Sequence, residues 1–255
     1  MANPLRLGAV PYLNAKPLID ALRDRPDVTL SYATPSRIGK ALRSGKLEAG
    51  LLPSLELAAH PGSRAVDGVA IASDGPVRSV LLFSRRPLKR IRRLGLDPAS
   101  RSSNALVRIL LAEAYGVKPE ILRGKGREGA EAILLIGDAA LQGLPGPWEE
   151  VLDLGAAWKK LSGLPFVYAL WAGRALSPAA ADLLREAKRK GTARLEAIAR
   201  TEAPASGIPA GKVLRYLSES IRYELGRRER EGMQAFFSLA RAQGLLRKAS
   251  EPTWL

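Results

Sequence analysis

Asn14 is the first residue of this chain whose type and position could do chemistry. It follows the apolar run Leu7 to Val10, which reads as a buried strand broken at Pro11. Tyr12, Asn14 and Lys16 then carry three polar heads before a helix restarts at Pro17. In open α/β sheets, ligands bind in the crevice at the carboxyl ends of the strands. A side-chain amide there offers two donors and an acceptor but does not titrate, so Asn14 reads as a positioning or hydrogen-bonding group. Lys16 reads as solvated.

Further along, Ser79 is a lone hydroxyl in the apolar run Val77 to Phe83, and a satisfied buried hydroxyl is one reading of it. Asp97-Pro-Ala-Ser-Arg-Ser-Ser-Asn104 joins a strand to a helix. One Ser or Asn suffices to cap a helix, whereas this turn has Ser100, Ser102, Ser103 and Asn104 around Arg101. The same geometry presents free backbone N–H groups to an anion, so a cap and a carboxylate site both remain open. Asp138, after Gly137, reads as the cap of the next helix. His60 sits where a helix would end, and its charge suits that end.

Composition removes other chemistries. The 255 residues contain no Cys and one His, which excludes disulfides and thiolate metal sites and argues against a His-based triad. No stretch has the uninterrupted apolar length of a membrane span. The net charge of +15 suits either a polyanion or steering of a small anion. Aromatics are only 5% and do not interleave with a basic stripe, so no nucleic-acid partner is expected. No secretory segment precedes the first strand, so a cytoplasmic location is expected.

Strand and helix signals alternate, which predicts an α/β fold with mainly parallel sheet. Predicted strands are Leu7–Val10, Val28–Tyr32, Leu47–Leu52, Val69–Ser73, Val77–Phe83, Leu94–Leu96, Ala132–Ile136 and Phe166–Trp171. Predicted helices include Pro35–Leu42, Ser102–Tyr115, one long segment Ala179–Arg200, Gly211–Leu225 and Phe236–Leu246. The basic run Arg85 to Arg93 reads as a solvated connector between two lobes. The order predicts two lobes, with the chain crossing twice and a ligand cleft between them. The expected division is 1–87 with 173–255 as one lobe and 88–172 as the other.

Taken together, these segments resemble the chorismate dehydratases of the futalosine route to menaquinone. The likeness rests on Val10-Pro-Tyr-Leu-Asn-Ala-Lys-Pro-Leu18, Pro35-Ser-Arg-Ile-Gly39, Ser73-Asp-Gly-Pro-Val-Arg-Ser-Val-Leu-Leu-Phe-Ser84 and Ser100-Arg-Ser-Ser103. It continues through Leu135-Ile-Gly-Asp-Ala-Ala-Leu141, Asp153-Leu-Gly-Ala-Ala-Trp158 and Gly163-Leu-Pro-Phe-Val-Tyr-Ala-Leu-Trp171, in order along most of the chain. Ser102 stands where the family has Thr, and Tyr168 where Phe is common. The resemblance implies a two-lobed type 2 periplasmic-binding-protein-like fold with a helical C-terminal segment. It implies a hydro-lyase that converts chorismate to 3-[(1-carboxyvinyl)oxy]benzoate with no metal or organic cofactor. Asn14 and Ser79 match active-site positions of the family, and Ser102 and Ser103 match its carboxylate-binding turn. The candidate set is therefore Asn14 and Ser79 as catalytic, with Tyr12, Ser102, Ser103, Asn104 and Asp138 as substrate-binding. A 1,4-dihydroxy-6-naphthoate synthase-like enzyme and a non-catalytic organic-anion-binding protein share the expected architecture.

Overall fold

The computed structural model describes residues 3–59, 61–98, 100–122, 124–247 and 250–255; His60 lies outside them. Its first strands are β1 (Leu5–Ala9), β2 (Val28–Tyr32), β3 (Ala49–Pro53), β4 (Arg64–Ala65) and β5 (Ile71–Ser73). A second group follows: β6 (Val80–Ser84), β7 (Arg93–Gly95), β8 (Glu120–Leu122), β9 (Ala132–Ile136) and β10 (Glu150–Asp153). The chain then returns with β11 (Phe166–Gly173), and β12 (Thr253–Trp254) lies at its end. Helices α1 (Lys16–Ile19), α2 (Pro35–Arg43), α3 (Ser54–Ala58), α4 (Arg101–Tyr115), α5 (Asp138–Gln142) and α6 (Leu154–Ser162) alternate with the strands. Four more, α7 (Pro178–Thr192), α8 (Leu195–Ser206), α9 (Ala210–Arg215) and α10 (Arg227–Ala242), form the C-terminal segment.

Two sheets result, and they repeat one design. The first runs β12-β4-β11-β3-β1-β2, with β5 also paired to β11. The second runs β10-β6-β9-β7-β8. In the first, β1 pairs in parallel with both β2 and β3, and β11 joins β3 antiparallel. In the second, β7 pairs in parallel with β8 and β9, and β6 joins β9 antiparallel. Each antiparallel strand has thus come over from the other lobe. Central strands buried on both faces carry near-continuous apolar runs, as in Ala49 to Leu52, which lets β3 sit in mid-sheet.

These pairings correct the expected boundaries. Strand β6 belongs to the second sheet and β11 to the first, so the crossings run over 74–79 and 154–165 rather than near 87/88 and 172/173. An apolar run shows that a strand is buried but not which sheet receives it. The basic run is no connector either. Leu88 and Ile91 anchor it in the core, Arg85 stacks on Trp148 at 4.9 Å and Arg86 pairs with Glu131 at 3.1 Å. The expected helix Ala179–Arg200 is two helices. Gly191 lies so close to α1 that a Cβ would stand 1.8 Å from the Pro17 carbonyl oxygen, and the chain breaks just after it at Ala193 and Arg194. The last helix, expected from Phe236 to Leu246, is α10 and starts earlier, at Arg227. No helix of the described residues is long and apolar enough to cross a membrane.

Close approach of backbones fixes the first sheet. A Cβ at Gly173 of β11 would stand 2.0 Å from the Glu48 carbonyl oxygen, and the obstacle is main chain that cannot rotate aside. Gly211 in α9 has open space instead. Gly173→Ala is expected to lower unfolding free energy by about 2 kcal/mol or more, as overpacking does. Gly211→Ala is expected to leave it unchanged or raise it by up to about 1 kcal/mol, from helix propensity. Urea denaturation of both variants checks the contrast.

Candidate functional site

Both sets of parallel strands point their carboxyl ends at one cleft. It is lined from the first lobe by Val10, Tyr12, Asn14, Pro53 and Tyr168 and from the second by Val80, Ser100, Ser103, Ile136 and Gly137, with Ser79 at the crossing. Its volume is about 70 Å³. A larger open groove of about 750 Å³ runs along α4 past Asp97, Arg101, Asn104 and Arg108. It holds none of the convergent hydroxyls, so the smaller cleft is the candidate site.

Ser79 is placed by a strained turn. It precedes β6 rather than lying within it, and Arg78 before it has φ of 62°, in the left-handed region. Strain of this kind persists where surroundings over-determine it, and it concentrates at functional sites. Here Val77 and Arg78 donate their backbone N–H groups to the two oxygens of Asp153, at 3.0 and 2.7 Å. The Ser79 carbonyl accepts from the Gly137 N–H at 2.8 Å. The Ser79 side chain is buried and accepts a hydrogen bond from the Tyr216 hydroxyl at 2.8 Å. Ser79 therefore keeps its own proton for another acceptor.

Ser103 repeats that logic. Ser100 caps α4 by accepting from the Ser103 N–H at 3.2 Å, and its hydroxyl donates to Ser103 Oγ at 3.0 Å. The Ser103 proton is thus also free at the cleft wall, beside the positive end of a four-turn helix. Asn14 Oδ1 is buried without a hydrogen-bond partner. A buried orphan acceptor is costly and calls for a donor. Tyr168 differs: Ser73 spends its proton on the Gly75 carbonyl, so Tyr168 must spend its own on Ser73 Oγ at 3.1 Å. Burial pushes the Tyr168 hydroxyl well above its ordinary range, and burial also raises Tyr12. No charged side chain lines the cleft among the described residues.

Of the other candidates, Tyr12 also lines the cleft, and Ser102, Asn104 and Asp138 are not among its lining residues. Ser102 Oγ accepts from the Leu55 N–H at 2.9 Å and lies 3.2 Å from Ser54 Oγ. Ser54 donates to the Val167 carbonyl, so the Ser102 proton goes to Ser54 and none is left for a ligand. Asn104 bonds both ways with the Asp97 backbone, closing the turn ahead of α4, and faces the outer groove. Gly137 caps α5, while Asp138 reaches across the lobes and accepts from the Leu13 N–H at 3.1 Å. Tyr12 packs its ring on Gly137, where a Cβ would come within 3.0 Å. Lys16 is not solvated: it pairs with Glu202 at 2.8 Å, both side chains being largely buried. Tyr216 was missed because its surroundings read as one helix from Gly211 to Leu225. That segment is α9, then a π turn at Tyr216–Ser220, then extended chain. A Tyr beside the aliphatic Val213 and Leu217 was the available signal.

An X-ray structure of a protein from Archaeoglobus fulgidus superposes with a TM-score of 0.76 at 17% identity, covering 95% of this chain and 98% of that one. The periplasmic aliphatic sulphonate binding protein of Escherichia coli superposes at 0.60 with 18% identity, covering 100% and 94%. The fold is that of the periplasmic binding proteins, two lobes about a ligand cleft. Residues 5–242 match the family model described as menaquinone biosynthesis. The chain belongs to that family. It is 34% identical to the chorismate dehydratase of Thermus thermophilus, over 95% of this chain and 96% of that protein. It is 24% identical to the chorismate dehydratase of Campylobacter jejuni, over 93% and 98%.

Burial raises the Asp138 carboxyl above its ordinary 3.8, against the Leu13 N–H and the charge of Lys16, which lower it. The folded state therefore holds this proton to higher pH than the unfolded chain, and the group costs stability as pH rises through that window. Asp138→Asn keeps an acceptor for Leu13 and removes the charge. Its stability relative to the unsubstituted protein is expected to increase between about pH 3 and pH 7, read by denaturant unfolding at each pH. A gap that narrows over that range would contradict the assignment.

Proposed function

We propose that the chain dehydrates chorismate to 3-[(1-carboxyvinyl)oxy]benzoate within this cleft, with Asn14 and Ser79 as the catalytic side chains. The observation that carries the reading is the donor set. Two serine hydroxyls with free protons and one unpartnered amide oxygen converge from both lobes, in a chain whose relatives are chorismate dehydratases. Chorismate carries two carboxylates, which accept hydrogen bonds, and one hydroxyl, which donates. Ser79 and Ser103 suit the former, and Asn14 suits the hydroxyl or the neighbouring carboxylate. Neutral preorganised donors can also hold the charge that builds up on the ring carboxylate as the proton leaves.

The reaction removes the ring proton at the carbon bearing the enolpyruvyl ether and hydroxide from its neighbour. That proton is vinylogously acidic, and aromatisation of the product supplies driving force. Among the described residues, the titratable side chains on the cleft wall are Tyr12 and Tyr168, whose protons burial holds more tightly. The base is then the substrate's own enolpyruvyl carboxylate, held by the cleft against the ring. On this reading the net charge of +15 draws the dianion inward from a distance, and the lobes turn at the two crossings to admit it. The chain then works in the cytoplasm with chorismate as its partner.

Incubation with chorismate is expected to yield an aromatic absorbance. Binding without turnover would instead favour an organic-anion-binding protein. Asn14→Ala is expected to lower kcat by about 10²- to 10³-fold, the scale seen when one preorganised hydrogen-bonding group is removed. Unchanged turnover at saturating chorismate would end the role given to Asn14.

A further inference from the structure

Tyr216 stands behind the cleft wall rather than in it, and its side chain is fully enclosed. It comes from the C-terminal segment, which rejoins the first sheet through paired hydrogen bonds of Arg222 with Ala72, at 2.8 and 2.9 Å. Ser79, by contrast, opens the strand that enters the second sheet. The 2.8 Å bond from Tyr216 to Ser79 therefore ties a first-lobe element to the crossing. Tyr216 begins a π turn closed by the Ile221 N–H on its carbonyl at 3.3 Å, and such turns are rare and concentrate at functional sites.

The chemistry of this bond has a direction. A hydroxyl has one proton and two lone pairs. Tyr216 donates its phenolic proton to Ser79 Oγ, and that bond and the Asn14 amide nearby each lower its pKa. With its oxygen occupied as an acceptor, Ser79 turns its own proton toward the cleft. Burial pushes the Tyr216 hydroxyl up by more than these contacts lower it, so Tyr216 holds its proton at neutral pH.

Resting on the reading of the cleft as a chorismate dehydratase site, we propose that Tyr216 is a positioning residue that aligns the Ser79 hydroxyl for the substrate without touching it. Removing its oxygen leaves Ser79 in place but free to rotate, so Ser79 loses its orientation and keeps its location.

A double-mutant cycle with Tyr216→Phe, Ser79→Ala and the pair tests this. Tyr216→Phe is expected to lower kcat about tenfold or more, with KM for chorismate within about threefold. In the Ser79→Ala background the same change is expected to alter kcat by less than about twofold, because there is no hydroxyl left to align. Equal losses in both backgrounds, undiminished kcat in Tyr216→Phe, or a Tyr216→Phe protein without a cooperative melting transition would each overturn the proposal in favour of a structural tyrosine. Failure of the underlying reading shows differently: the unsubstituted protein then yields no aromatic product, and the proposal falls with it.

Discussion

Three backbone N–H groups converge on the carboxylate of Asp153. Two, from Val77 and Arg78, belong to the crossing into the second lobe, and the third, from Ala156, opens α6 on the way back. One side chain thus fastens both places where the chain changes lobes. It also fixes Arg78 in a conformation that costs free energy, which it can do because a carboxylate that accepts several backbone N–H groups forms strong, charge-assisted hydrogen bonds. The Ser79 side chain owes its direction to that turn. An ordinary extended residue at 78 would aim the hydroxyl elsewhere.

The cleft is consequently built by polar contacts between lobes rather than by one rigid element. Asn14 follows β1, Ser79 precedes β6, Ser103 belongs to α4, and Tyr216 arrives from the C-terminal segment. Leu13 with Asp138 and Leu55 with Ser102 add two cross-lobe bonds, each from a backbone N–H to a side-chain oxygen. Among the described residues the cleft wall is largely apolar and carries no charged side chain, so each neutral donor acts in a low-dielectric setting and counts for more than it would in water. The basic residues stay outside. Several pair with surface acids, as Arg25 does with Asp27 and Arg189 with Glu186, and exposed pairs add little stability. Their summed charge is left to act as a field.

Much of this was legible in the residues. The apolar runs of β1, β3, β6 and β9 were readable because buried strands need continuous hydrophobic surface, and Asn14 was readable because a polar side chain followed such a run. Sheet membership was not legible, since the runs of β6 and β11 are equally apolar wherever they dock. Short strands such as β4, β8 and β12 bury too little to leave a pattern. The serine-rich turn before α4 misled in part: all four polar side chains looked alike, yet Ser100 caps, Ser102 fastens α4 to α3, Asn104 closes the turn, and Ser103 alone is left with a free proton at the cleft. Tyr216 was hidden because its helical surroundings gave no hint of a π turn. Its importance depends on a partner 137 positions away.

The central claim is that the substrate sits where the two lobes bring Asn14, Ser79 and Ser103 together. A crystal structure of the Ser79→Ala protein soaked with chorismate tests it most directly. The account predicts ligand density in the cleft, with polar atoms within about 3.2 Å of the Asn14 amide and of Ser103 Oγ. Density seated instead in the outer groove along α4, between Arg101 and Arg108 with the cleft unoccupied, would contradict it.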